Sequence, residues 1–162
     1  MQRQLIVPEP LWLETWSGLA SRGGGQREAA CIWAGHRDDQ SETVEQIVFL
    51  DDFDETVAHG LYHRTPRSVT AELFRLLRER ELVIVGDVHS HPDEWVGLSP
   101  VDSAHPIEYR VGLRALVLPH YSIGEPSTET VGVHEYLGDK RWHQLSISEV
   151  RRVLRIPPGA RR

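Results

Sequence analysis

An apolar run that ends in two histidines constrains this chain more than any other stretch of its sequence. Residues 82–90 read LVIVGDVHS, a composition that favours a β-strand. Side chains two residues apart on a strand project from the same face, so His89 and His91 are predicted to point the same way at the carboxyl end of this strand. Open α/β sheets usually place their functional sites at that edge. The sequence therefore predicts a strand that presents two imidazoles to one site.

Two imidazoles held in parallel supply half of the ligands of a zinc site. A catalytic zinc ion typically takes three protein ligands and keeps one position for water. Asp102 can provide the third ligand, because it lies in the first turn of a helix predicted over residues 99–107. Two plainer interpretations stay open from these residues alone. A His-x-His pair can be structural, and Ser99-x-x-Asp102 with Pro100 is also a common helix start.

The rest of the chain interleaves helical and strand patterns. Helices are predicted at residues 11–22, 68–81, 99–107 and 147–155, and strands at 28–35, 43–53, 82–90, 113–122, 128–138 and 140–146. An irregular segment over 54–67 includes a short candidate strand at 61–64. This alternation predicts an α/β fold with a mixed β-sheet flanked by helices. We expect one domain over residues 1–155 and a flexible tail over 156–162.

The composition and net charge disfavour several classes of protein. The chain has 162 residues and a net charge of −6, which does not favour a nucleic-acid-binding surface. The first residues, MQRQLIVPEPLWLE, hold only a short apolar run that Pro8 and Pro10 interrupt, so neither a signal peptide nor a membrane span is expected. A single cysteine, Cys31, excludes an intramolecular disulfide, fits a reducing cytoplasm and is interpreted as a core residue.

The spacing around the histidines resembles the signature of a known family. The chain reads His89-Ser90-His91, then seven residues, then Ser99-Pro100-Val101-Asp102. This pattern is similar to that of the JAMM (MPN+) zinc metalloproteases, which commonly carry a proline after the second histidine, as Pro92 does here. The family also has a glutamate before an early apolar strand. Glu28 in REAACIWAG takes that place, although Ala30 and Cys31 stand where many members have glycines.

The resemblance runs from about residue 5 to residue 155 and implies a compact, prokaryotic-type JAMM/MPN domain with an outline like that of cytidine deaminases. It implies one Zn²⁺ per chain, held by His89, His91 and Asp102. Glu28 would act as general base toward the attacking water and pass the proton to the leaving amine, and Ser99 would help to stabilise the oxyanion. Without the resemblance, a glutamate beside Arg27 is most simply a surface charge.

Several other residues are weaker candidates for a role at the site. Trp95 lies between the two halves of the motif, where it could contact a substrate tail or pack against the protein. His120 ends a predicted strand near the expected site and is a second candidate for substrate contact. His105 is either an outer partner of a metal ligand or a rim residue. His59 and His63 are interpreted as exposed.

The resemblance also implies a substrate class. JAMM enzymes typically cleave after the carboxyl-terminal tail of a ubiquitin-like protein, often at an isopeptide bond to lysine. We therefore expect a cytoplasmic enzyme that acts on a ubiquitin-like or sulfur-carrier protein, alongside an E1/E2-like conjugation system or an antiviral system. The alternative is a non-catalytic MPN-type scaffold that binds other proteins. A nucleobase deaminase is disfavoured, because its Pro-Cys-x-x-Cys motif needs two cysteines. The acidic charge gives no support to a DNA-repair branch of the family, and we expect neither nucleic acid nor membrane as a partner.

Overall fold

The computed structural model describes residues 2–53, 65 and 67–159 of the chain. Within these ranges the α-helices are α1 (Glu9–Gly23), α2 (Arg67–Glu79), α3 (Pro100–Ala104) and α4 (Ile147–Val153). The strands of the same ranges are β1 (Gln4–Ile6), β2 (Ala30–Arg37), β3 (Ser41–Phe49), β4 (Val83–Ser90), β5 (Arg114–Leu118), β6 (Gly132–Gly138), β7 (Arg141–Gln144) and β8 (Leu154–Arg155). The candidate strand at 61–64 and the histidines His59 and His63 lie outside the described residues.

The strands of the described ranges form one mixed sheet in the order β7-β6-β5-β4-β2-β3-β1-β8. β4 runs parallel to β5, and β1 runs parallel to both β3 and β8. The remaining neighbours are antiparallel. Helices pack against the sheet, so the predicted α/β class with a mixed, helix-flanked sheet is confirmed. No helix in the described part of the chain is long and apolar enough to cross a membrane.

The sheet has a hydrophobic core on each of its faces. We call these the α1 face and the α2 face, after the longer helix that covers each one. The α1 face buries side chains of α1 and α4, among them Trp12, Trp16, Leu19, Val150 and Val153. The α2 face buries Val69, Leu73 and Leu77 of α2, whose four-residue spacing places them on one side of a helix. Each helix therefore turns its apolar stripe toward the sheet.

A bulge in β4 decides which face receives the two histidines. The register between β2 and β4 shifts after Trp33, which leaves Val85 of β4 without a partner in β2. Val85 and Val88 both pack in the core of the α1 face although they lie three residues apart, which a regular strand does not allow. Beyond Val88 the alternation resumes, and His89 and His91 project toward the α2 face. Without the extra residue, both imidazoles would point to the opposite side of the sheet.

Both ends of the chain differ from the predicted pattern. The helix predicted over 147–155 ends at Val153, because Leu154 takes an extended conformation with φ −92° and ψ 120° and starts β8. β8 pairs with β1, a strand that the sequence analysis did not predict. Residues 156–159 then run along the start of α1, where Glu9 donates its backbone N–H to the carbonyl of Pro157 at 3.0 Å. Residues 160–162 lie outside the described residues.

Candidate metal centre

Three ligand-type side chains meet at the carboxyl end of β4. The Nε2 atoms of His89 and His91 lie 3.1 Å apart. The Oδ2 atom of Asp102, in α3, lies 3.6 Å from the first and 3.7 Å from the second. Among the described residues, this is the one group of three histidine, cysteine or acidic side chains placed to share a metal ion. The structure thus brings together the three residues that the motif singled out.

The dimensions of this triangle fit a transition-metal ion. Three atoms separated by 3.1, 3.6 and 3.7 Å share a central point about 2.0 Å from each of them. Zinc binds histidine nitrogen and carboxylate oxygen at about 2.0–2.2 Å. Two imidazoles and one carboxylate also suit zinc better than calcium or magnesium, which prefer sites made of oxygen ligands. The residues present therefore fit a three-ligand metal site.

The tautomer of His91 is suited to metal binding. Its Nδ1 atom lies 2.9 Å from the backbone carbonyl of Trp95, and a carbonyl can only accept a hydrogen bond. Nδ1 therefore carries the hydrogen, and Nε2 of the neutral ring turns its lone pair toward His89 and Asp102. A backbone carbonyl in this outer position is a common way to fix the orientation of a ligating imidazole.

The electrostatics of the group keep its carboxyl ionised. Burial alone would raise the pKa of Asp102, but its interactions with the His89 and His91 rings, 3.6 and 3.7 Å away, outweigh burial and hold that pKa well below its usual range. For His91, burial acts to lower the pKa, and the interactions with Asp102 and with the carbonyl of Trp95 raise it overall. In the metal-free protein the imidazoles are thus the partners of the Asp102 carboxylate. A bound cation would take their place.

Ser99 and Asp102 form a capping box at the start of α3. The Oγ atom of Ser99 accepts the backbone N–H of Asp102 at 3.1 Å, and Oδ2 of Asp102 accepts the backbone N–H of Ser99 at 2.8 Å. The helix-start interpretation of this motif is therefore correct. The Ser99 side chain also hydrogen-bonds to the Asp102 carboxyl, which helps to lower the pKa of that group. The catalytic role of Ser99 stays a prediction.

Glu28 reaches the site from the link that precedes β2. It lines a cavity of about 190 Å³ together with His91, Trp95, Ser99 and Asp102. The link is tied to β4 by Ser90, whose side chain accepts the backbone N–H of Ala29 at 3.0 Å and whose backbone N–H donates to the carbonyl of Ala29 at 3.0 Å. Ser90 is thus a positioning residue that the sequence analysis did not identify. The general-base role of Glu28 stays a prediction.

A second, smaller cavity also borders the candidate metal ligands. It has a volume of about 60 Å³, and Asp87, His89, Asp102, His105 and Trp142 are among its lining residues. Burial raises the pKa of Asp87 to about 6. Asp87 is not among the site residues predicted from the sequence. The signal was present, since Asp87 precedes His89 by two residues and strand alternation places both on one face.

The other candidates lie at different distances from the ligands. The indole ring of Trp95 stacks on the His91 ring at a centroid distance of 5.1 Å, yet 53% of this residue stays exposed. Trp95 thus packs against His91 and borders the larger cavity, and its contact with substrate stays a prediction. His105 is exposed at the end of α3 and borders the smaller cavity. His120 is exposed, and its backbone N–H donates to the carbonyl of Asp93 at 3.0 Å.

Comparisons with known proteins give a remote relative and a shared fold. The chain is similar to the curated protein "Probable metalloprotease y4jG" of Sinorhizobium fredii (strain NBRC 101917 / NGR234), with 21% identity over 154 residues, which span 95% of this chain and 94% of the relative. The structure of the present chain resembles the solution structure of protein DSY2949 from Desulfitobacterium hafniense. The TM-score is 0.60, and the identity is 16% over 96% of this chain and 92% of the other. At that identity the likeness concerns the fold alone. No family model matches the chain.

Proposed function

We propose that this chain is a zinc-dependent peptidase of the JAMM type that cleaves after the carboxyl-terminal tail of a ubiquitin-like or sulfur-carrier protein in the cytoplasm. The observation that carries the proposal is the triangle formed by His89, His91 and Asp102, which has room for a metal ion about 2.0 Å from each ligand atom. The similarity to a protein named a probable metalloprotease supports the metal-dependent peptidase class.

The residues around the triangle supply the parts that hydrolysis of an amide needs. A bound zinc ion would lower the pKa of its water to about 7 and polarise the scissile carbonyl. Glu28 shares a cavity with His91 and Asp102, where a carboxylate can take a proton from water and deliver it to the leaving amine. Ser99 borders the same cavity, and its hydroxyl would turn from the Asp102 carboxyl to donate to the developing oxyanion.

The substrate class rests on the motif's resemblance to JAMM enzymes. An extended tail could lie against the exposed indole of Trp95 at the mouth of the larger cavity, and His120 is the second candidate for this contact. An E1/E2-like conjugation system would supply conjugates as substrates, and an antiviral system is one setting in which such a protease would act.

The decisive experiment combines metal analysis with cleavage assays. Protein purified without added zinc should contain about one zinc per chain, and His89→Ala should contain far less. Ubiquitin-like and sulfur-carrier proteins that carry a carboxyl-terminal amide extension should be cut after the last residue of the tail, as mass spectrometry of the products would show. Glu28→Gln should lose this cleavage and keep its zinc, because a general base is not a ligand.

Each contrary result has a distinct meaning. Equal metal content in wild type and His89→Ala would reject the metal site. Scattered cleavage within the tail would point to a general peptidase. A stable, zinc-loaded wild type that cuts none of these proteins, while still binding one of them, would favour the scaffold alternative.

A further inference from the structure

The loop between the two halves of the motif, residues 92–98, packs against β6. The Nε2 atom of His134, in β6, lies 2.8 Å from the backbone carbonyl of Val96. Because a carbonyl can only accept, Nε2 of His134 carries the hydrogen and donates it. His134 is only 3% exposed, and burial lowers its pKa, so the ring is a neutral donor at pH 7. The loop thus receives a directed hydrogen bond from the interior of the protein.

Close packing of the loop backbone against Gly132 of β6 adds to this hydrogen bond. A Cβ atom added to Gly132, two residues before His134 on the same face of β6, would lie 2.0 Å from the carbonyl oxygen of Val96. Real Cβ atoms do not approach an oxygen so closely, so any larger residue at position 132 would push the loop away. His134 and Gly132 therefore hold the same carbonyl group, one through a hydrogen bond and the other through contact.

The Val96 carbonyl that His134 holds is one residue away from the Trp95 carbonyl, which is the partner of His91. The carbonyl of Trp95 accepts the Nδ1 hydrogen of His91, and the next carbonyl along the chain, that of Val96, accepts from His134. Successive peptide planes share a Cα atom, so fixing one of them restricts the other. The ring of Trp95 also lies on the ring of His91 with an interplanar angle of 16°.

We propose that His134 is a positioning residue of the metal centre, which holds the loop so that the carbonyl of Trp95 orients the imidazole of His91 toward the metal. The inference rests on the proposed function in one respect, since it requires that His89, His91 and Asp102 bind a metal ion. A buried histidine that served packing alone would have no need to donate to a loop carbonyl, and leucine could fill its place. The removal of the donor instead leaves the carbonyl of Val96 without this partner.

The test compares two substitutions that differ in their ability to donate. His134→Leu removes the donor at a similar volume, whereas His134→Gln keeps an N–H group near the position of Nε2. We expect His134→Leu to weaken Zn²⁺ binding by up to about tenfold in competition with a chromophoric chelator, the lower end of the range for loss of an outer partner, because His134 acts on that partner through the neighbouring peptide. The visible absorption of the Co²⁺-loaded protein should change as well. His134→Gln should restore both properties to near wild-type values.

Controls separate this inference from stability and from the proposed function. His36→Leu replaces an exposed histidine of β2 whose partner is Glu45, and it should leave Zn²⁺ affinity and the Co²⁺ spectrum unchanged. If His134→Leu does not fold, Gly132→Ala disturbs the same contact from β6 and should weaken Zn²⁺ binding in its place.

The contrary outcomes are equally distinct. A His134→Leu protein with a lower melting temperature but unchanged Zn²⁺ affinity and an unchanged Co²⁺ spectrum would make His134 a packing residue and overturn the inference alone. A folded wild type that binds neither metal would overturn both the proposed function and the inference.

Discussion

At the scale of single residues, Asp102 shows how one carboxylate can serve both the helix and the site. Its Oδ2 atom accepts the backbone N–H of Ser99 and lies within 3.7 Å of the Nε2 atoms of both His89 and His91. The cap therefore fixes the position of the ligand atom. A helix start is also a favourable place for a negative charge, which supports the ionised form of the carboxyl.

The role of Ser99 can be determined by measuring its contribution to helix capping and its contribution to catalysis separately. The loss of the cap in Ser99→Ala should lower the free energy of unfolding by about 1 kcal/mol. If the hydroxyl also stabilises the oxyanion, kcat should fall by roughly 10²–10³-fold while zinc content stays at the wild-type level. Measurements of kcat, zinc content and melting temperature on the same preparations would show this. A nearly normal kcat with full zinc would reduce Ser99 to a helix cap.

The raised pKa of Asp87 predicts a specific dependence of protein stability on pH. Burial raises its pKa in the folded protein to about 6, above the unfolded value of about 3.9. The contribution of this group to stability is therefore complete below the unfolded pKa and is lost as the pH rises through about 6. In metal-free protein, Asp87→Asn should gain stability relative to wild type by roughly 2–3 kcal/mol between pH 4 and pH 7.

Denaturant unfolding of both proteins in the presence of a chelator measures this difference. The asparagine cannot titrate, so other groups cancel in the comparison. A difference in unfolding free energy that stays constant from pH 4 to pH 7 would mean that Asp87 has the same pKa in the folded and unfolded chains.

At the scale of elements, the turn after β5 is an unusual support for the site. His120, Tyr121 and Ser122 all have positive φ, at 54°, 55° and 63°, which is costly for residues other than glycine. The turn is held by its contacts, because the backbone N–H of Tyr121 donates to the carbonyl of His91 at 2.7 Å and the side chain of Ser122 donates to the carbonyl of Trp16 at 2.9 Å. The strained backbone thus holds the chain in place at His91, a candidate metal ligand.

Two substitutions of His120 distinguish the turn from substrate contact. Glycine accepts a φ of 54° without strain, so His120→Gly should retain or slightly raise the melting temperature, and His120→Ala should be about 1 kcal/mol less stable than the glycine variant. If the imidazole contacts substrate, both variants should show the same increase in KM. Kinetic and thermal measurements on the pair give the answer. A wild-type KM in both variants would remove His120 from the substrate-binding residues.

Local sequence patterns predicted the longer elements better than the short ones. The apolar stripe of Leu73, Leu76 and Leu77 predicts α2, and the run before His89 predicts β4. β1 and β8 escaped prediction because three- and two-residue strands leave almost no periodic signal, and they form by pairing, β1 with β3 and β8 with β1. The bulge at Val85 was also hidden, since it depends on the register between β2 and β4.

At the scale of the whole molecule, the site joins segments that lie far apart in the sequence. The motif predicted which residues meet, because ligand spacing follows from chemistry. The supports of the site could not be predicted in this way. Two hydrogen bonds support it, one from Ala29 to Ser90 and one from His134 to Val96. Each joins residues that lie tens of positions apart in the sequence and depends on which strands become neighbours. The candidate metal ligands therefore come together only in the folded chain.

This dependence on folding predicts that zinc stabilises the protein as a whole. A metal that binds the folded state and not the unfolded state stabilises the fold by about 2.7 kcal/mol when free metal is a hundredfold above Kd. In a chain of 162 residues this corresponds to a rise in melting temperature of roughly 5–10 °C. Mg²⁺ at the same concentration should have little effect, because it prefers oxygen ligands.

Asp102→Asn removes the anionic ligand and should abolish most of the zinc-dependent rise. Calorimetry of chelator-treated protein, with and without each metal, measures these shifts. An equal rise with zinc in wild type and Asp102→Asn would place the stabilising metal outside the His89–His91–Asp102 triangle.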